Sequence, residues 1–192
     1  MRILKFIFII SSIGIYALSC TQEKDELMEC DPNYSEFKNI FTATLASGYS
    51  DEVTMDTEVH EYTFNLSNPQ ELCMVGYRSV SGMESTPYLM QIIDLSTNTI
   101  IYGDSKTFSS TETSYILPAT PVYFQAGVDY SVRRTQTDWG TNIGNTIGRV
   151  ARKDSMSFPY SMNGMTISTT NFYQNGGPLI DFAIPYIDLI FK

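Results

Sequence analysis

The chain has 192 residues, 43% of them hydrophobic, with 13 Tyr and 11 Phe against one Trp and one His. That is apolar material for one sizeable core, so one folded domain, or one domain plus a tail, is expected. A formal charge of −9 argues against a nucleic-acid partner, because phosphate binding needs a basic face and no basic stretch is present.

Arg2 and Lys5 precede an apolar run from Ile7 to Leu18, which ends in Ala17-Leu18-Ser19-Cys20. A basic start, a short apolar region and a small residue before the cut define a secretory signal peptide. The run is short for a membrane span. With a cysteine directly after Ser19, residues 1–19 resemble a bacterial lipoprotein signal peptide. The resemblance implies lipid on Cys20, which becomes the first residue of the mature chain and its contact with the membrane. The commonest pattern has Leu where Ala17 stands and a small residue where Leu18 stands, so an ordinary signal peptide with a free Cys20 is the other reading.

Loss of the signal removes Arg2 and Lys5 and no acid, taking the charge from −9 to −11. Residues 20–33 then form a tether. Its start, Thr21-Gln22-Glu23-Lys24-Asp25-Glu26, is polar and acidic with no apolar anchor. Such a run behind a lipidated cysteine resembles the export signals that send lipoproteins to the outer face of the cell; the alternative is a linker acidic by chance. The expected location is the outer membrane, lipid-anchored, with the acidic run pointing to the outward face.

The domain is expected over residues 34–192. Phe37, Ile40, Phe41 and Leu45 fall near helical spacing, but Thr42, Thr44 and Gly48 weaken a helix, leaving a strand or one short helix open. From Val59 the period is two: His60, Tyr62, Phe64 and Leu66 share one face, and Glu61, Thr63 and Asn65 the other. Asn68-Pro69 ends that strand. Leu72–Val80 predicts a second strand and Tyr88–Leu95 a third, apolar on both faces and therefore central. Ser96–Thr99 turns the chain into Ile100-Ile101-Tyr102.

Val122 and Phe124 alternate with outward residues, as do Tyr130 and Val132, around Ala126-Gly127. That pattern predicts a hairpin at the centre of the fold. Trp139–Gly148, with three glycines, reads as a long loop. Asn163-Gly164 between Tyr160, Met162, Met165 and Ile167 predicts another hairpin. Gly176-Gly177-Pro178 leads to a closing strand over Ile184–Phe191. Regular turns with little helical signal predict an all-β antiparallel β-sandwich of jelly-roll type. Its expected core holds Tyr62, Phe64, Val75, Ile93, Val122, Phe124, Tyr130 and Val132.

Tyr62-x-Phe64, Pro69, Gly76, Ile92-x-Asp94-x-x-Thr97-x-x-x-Ile101 and Pro121-Val122-x-Phe124-x-Ala126-Gly127-x-x-Tyr130 occur in that order. The series resembles an uncharacterised jelly-roll domain family of secreted and cell-surface bacterial proteins, often found beside sugar-acting or sugar-binding modules. It covers residues 58–135. The family has no established catalytic residues to carry over, and the chain beyond Trp139 departs from it.

No catalytic constellation, metal site or cofactor motif is expected. His60 lies on an apolar face without a second histidine, which predicts a satisfied core residue. Cys73 sits inside a strand and reads as core. Its pairing with Cys30 is left open, the unpaired state being favoured because Cys30 lies in the tether. Asp94 reads as a turn former, and Asp181 and Asp188 as solvated acids flanking a strand, with no spacing that favours glycosidase chemistry. The glycines at 140, 144 and 148 lack the Lys-Ser or Lys-Thr of a phosphate loop.

Trp139 among Thr, Gly and Asn, with Arg133, Asp138 and Arg149 nearby in sequence, is the candidate ligand site. The indole serves either as a platform for a sugar ring or as a lid on the open end of the sandwich. The expected function is a non-enzymatic surface module that binds a polysaccharide or a partner in a surface uptake assembly. The alternative is a structural or adhesion subunit that makes protein contacts only.

Overall fold

The computed structural model describes residues 30–142, 144, 147–174 and 176–192. The signal peptide, Cys20 and the acidic run lie outside them. The chain forms one α-helix, one short 3₁₀ turn and fourteen strands among these residues. In order they are α1 (Glu36–Ala46), β1 (Ser50–Thr54), β2 (Val59–Leu66), β3 (Gln70–Tyr77), β4 (Tyr88–Asp94), β5 (Thr99–Lys106) and β6 (Ser114–Ile116). Then follow β7 (Tyr123–Phe124), β8 (Tyr130–Gln136), β9 (Gly148–Arg152), β10 (Tyr160–Met162), β11 (Met165–Tyr173), β12 (Leu179–Ile180), β13 (Ile184–Pro185) and β14 (Asp188–Phe191).

Every strand pair is antiparallel, and the strands make two layers. The larger has the order β10-β11-β2-β8-β4-β5, with β12 also on β11. The second is built from β14-β3-β6, with β7 on β3, and from β1-β9-β13. The bend Tyr186-Ile187 joins its two parts, the Tyr186 amide donating to Arg149 O at 2.8 Å. All eight expected core residues are buried, none more than 7% exposed. Tyr62 ties the layers together by donating its hydroxyl to Ile187 O at 2.8 Å.

The pattern that stood for a helix or a strand over residues 34–49 forms α1. Phe37, Ile40, Phe41 and Thr44 make its buried stripe at i, i+3, i+4 and i+7. Ser35 caps it, accepting from the Lys38 amide at 3.1 Å. Its rings close the core: Phe37 stacks on Tyr62 at 5.3 Å and Phe41 meets Tyr186 edge-on at 4.9 Å.

The hairpin expected over Pro121–Val132 is not one. β7 pairs with β3 in one layer, while β8 pairs with β2 and β4 in the other. The chain therefore arches across the sandwich, and Phe124 meets Tyr130 edge-on at 4.8 Å through the core instead of lying beside it. Period-2 alternation identifies the buried face of each arm but not its neighbour. The arch is held from outside: the Gly127 amide donates to Leu66 O at 2.8 Å, and the Leu95 amide to Asp129 O at 3.0 Å. At Asn163-Gly164 the expected hairpin does form, both residues taking the positive φ that a tight two-residue turn requires.

Cys30 and Cys73 are joined by a disulfide, with Cα atoms 5.8 Å apart. The segment between Cys30 and α1 is thus tied to β3 at its start, and at its end Ser35 bonds Asp188 on β14, instead of standing free. Asp188, expected to be a solvated acid, is fully buried. It accepts from the Ser35 hydroxyl and from Tyr115 OH at 2.8 Å, and Lys38 Nζ lies 3.4 Å away. Burial still pushes its carboxyl above the usual range, although those three partners pull the other way. Tyr115 reaches it by lying across Gly76, where a Cβ would come within 2.8 Å of a ring carbon.

Candidate functional site

The inward faces of β2, β8 and β11 supply the core, so the alternate residues must face out from the larger layer. Register sets them in a row: Asn171 is paired with Glu61, Glu61 with Arg133, and Arg133 with Gln91. Four strands about 4.8 Å apart make this polar row roughly 14 Å wide. The next row holds Thr169, Thr63, Ser131 and Ile93, of which Ser131 and Ile93 are buried although they are on the outward side of the layer.

Arg133 Nε lies 3.1 Å from Glu61 Oε2, and Tyr173 donates its hydroxyl to the same oxygen at 2.9 Å. Both charged side chains keep some exposure, 28% for Arg133 and 17% for Glu61. Burial, and then the charge of Glu61, push the Tyr173 phenol up to about 12. Beside this trio is a cleft of about 210 Å³ lined by Glu61, Thr63, Thr169, Asn171 and Ile180 among others. Asn171 Oδ1 and Ser131 Oγ are buried without a hydrogen-bond partner among the described residues. Fixed amide, hydroxyl, carboxylate and guanidinium groups next to a phenol ring can exchange hydrogen bonds with a hydroxyl-rich ligand.

The four residues proposed from sequence occupy three places. Arg133 belongs to the row just described. Trp139 opens a short 3₁₀ turn, Trp139–Thr141, at the end of β8. It is half-buried, its Nε1 enclosed without a hydrogen-bond partner among the described residues. Asp138 before it is exposed and accepts from Gln136 Nε2 at 2.7 Å. Arg149 is on β9 in the opposite layer, where it pairs with Asp51 at 2.7 Å. Its guanidinium lies over the rings of Tyr186 and Phe41, at 4.5 and 5.0 Å. The link from β8 to β9 crosses from one layer to the other, which parts residues that are close in sequence.

Two buried polar side chains interrupt the apolar core. Arg134 is fully buried between the rings of Tyr88 and Tyr77, at 5.5 and 5.8 Å. His60 is 1% exposed; its Nε2 donates to Met55 O at 2.6 Å, and its ring meets Phe172 edge-on at 4.8 Å. Burial, reinforced by the charge of Arg134, holds its pKa well below the ordinary value. It is a satisfied core histidine.

Asp94 and Asp181 are turn residues. Asp94 Oδ1 accepts from the Ser96 amide at 2.8 Å, and Asp181 Oδ1 from the Thr170 amide at 2.9 Å. Among the described residues no group of three or more His, Cys, Asp or Glu is placed to hold a metal ion. Glu61, Asn171 and Tyr173 were not among the residues singled out from sequence. The alternation of β2 had put Glu61, Thr63 and Asn65 on one outward face, and that was the signal available.

No known family model matches the chain, and no curated protein does.

Proposed function

We propose that the protein is a non-enzymatic lipoprotein, anchored in the outer membrane through lipid on Cys20 and facing outward, whose jelly-roll domain binds a polysaccharide. The observation that carries this reading is the half-buried polar row Asn171–Glu61–Arg133–Gln91 with Tyr173 at its side. Most of this row lies within residues 58–135, the part of the chain that resembles a jelly-roll family found beside sugar-binding modules. An extended glycan laid across the strands would exchange its hydroxyls with these groups while the strands hold them in register. In place of a free glycan, the same face would serve a glycan-carrying partner in a surface uptake assembly.

A structural or adhesion subunit is the second reading. Exposed apolar residues at opposite margins of the larger layer favour it: Ile100 on β5 is 55% exposed and Ile180 on β12 is 64% exposed. A glycan array probed with the detergent-solubilised chain and its Arg133→Ala variant separates the two. Binding to a polysaccharide that the variant loses, with an unchanged melting temperature, supports the glycan reading. No binding by either protein supports the protein-contact reading.

A further inference from the structure

A second cleft, of about 570 Å³, lies where the chain enters the domain. Asp31, Tyr34, Glu36, Gln70, Phe191 and Lys192 line it with Asn68 and Pro69. Glu36 is only 8% exposed, yet its carboxylate has no hydrogen-bond or ion-pair partner among the described residues. Gln70 Oε1 is likewise enclosed without a partner among them. Lys192, the cation in the lining, is held by Glu71 at 2.6 Å and is thereby neutralised. Asp31 adds a further carboxylate, already accepting from the Asn33 amide at 2.8 Å. The cleft therefore offers acceptors and net negative charge, with Tyr34 standing 56% exposed at its side and Phe191 half-buried.

Its wall is fixed at both ends. The disulfide holds Cys30 to β3, and Ser35 is held by capping α1 and by donating to Asp188. A site preorganised in this way loses little entropy on binding. Glu36 lines the cleft with no cation of its own among the described residues, and a ligand that brings one supplies that partner.

We infer that this cleft binds a protonated amine carried on a small organic body, with the ammonium held by Glu36, Asp31 and Gln70 and the body against Tyr34 and Phe191. An ammonium beside an aromatic face and a carboxylate gains from both. The cleft is far larger than a bare metal ion needs. The amine could belong to an amino sugar or to a lysine side chain of a partner protein; the chemistry recognised is the same. The inference is independent of the polar row on the larger layer.

The test titrates the full chain in detergent with glucosamine, N-acetylglucosamine and Nα-acetyl-lysine amide, followed by calorimetry. Either amine binding while neutral N-acetylglucosamine does not supports the inference, and which amine binds identifies the source. Glu36→Gln removes the charge with little change of shape and should weaken the amine by roughly tenfold or more. Asp31→Asn serves as a second variant, and melting curves establish that each is folded. Arg133→Ala should bind the amine as the wild type does, so loss of glycan binding on the sheet and loss of amine binding are read separately. No binding of either amine, equal binding of N-acetylglucosamine, or unchanged affinity in folded Glu36→Gln and Asp31→Asn would overturn it.

Discussion

Cys30→Ser cuts the covalent link between the entering chain and β3. Cys73 is 2% exposed and its thiol stays where it is, so the change acts mainly on the unfolded chain and on the segment before α1. The bridge closes a loop of sequence separation 43. Loop-closure entropy for that length amounts to about 4 kcal/mol at 25 °C, within the 2–5 kcal/mol usual for native disulfides. For a domain of this size each kcal/mol moves the melting temperature by about 2–4 °C, so a fall of roughly 8–16 °C is expected. Differential scanning calorimetry of wild type, wild type with reductant and Cys30→Ser measures it. The reduced wild type should converge on the variant, with thiol labelling showing two free cysteines among the described residues. A melting temperature that stays within about 2 °C after complete reduction would refute the reasoning.

Phe124 is 1% exposed and sits among Phe64, Tyr130 and Phe191, so Phe124→Ala should cost about 3–5 kcal/mol by denaturant titration. A loss below about 1 kcal/mol would contradict its place in the arch. His60 has a folded pKa held well below 6.5, so above that pH its neutral form suits both states. As pH falls through 6.5 the unfolded chain gains a proton that the fold resists, and stability drops by up to about 1.4 kcal/mol per pH unit until the folded pKa is reached. His60→Gln should flatten the curve between about pH 6.5 and 5.5, and an equal slope in the variant would contradict the assigned burial. Mass spectrometry of the mature N-terminus should find acyl chains on Cys20; an unmodified N-terminus further along the chain would end the lipoprotein assignment.

Residue faces were legible in the sequence, and strand partners were not. Tyr62, Phe64, Tyr130 and Val132 announce their burial by alternation, and all four are in the core. The same alternation at Val122 and Phe124 is equally compatible with a hairpin and with an arch. What decides between them is that β7 pairs with β3 and β8 with β2 and β4, partners distant in sequence. Asn163-Gly164 was readable because its turn geometry is a property of two adjacent residues. Asp188 misled because a carboxylate beside a strand is usually solvated. Its burial depends on Ser35, Lys38 and Tyr115, which the fold gathers from two distant segments. Cys30 looked too remote to meet Cys73 for the same reason: α1 was uncertain, and with it the course of the entering chain. Of the candidate site, Arg133 was found, but its partners Glu61 and Tyr173 lie on strands far away in sequence. Trp139, Asp138 and Arg149 were grouped by proximity along the chain, which a crossover between layers dissolves.

The most direct measurement is the glycan array on the detergent-solubilised chain, run in parallel with Arg133→Ala and Trp139→Ala. The polysaccharide reading predicts binding to at least one glycan that Arg133→Ala abolishes at unchanged melting temperature, while Trp139→Ala, losing a half-buried ring, lowers the melting temperature and leaves glycan binding in place below it. Absence of binding to every polysaccharide, or binding that survives Arg133→Ala, would contradict it.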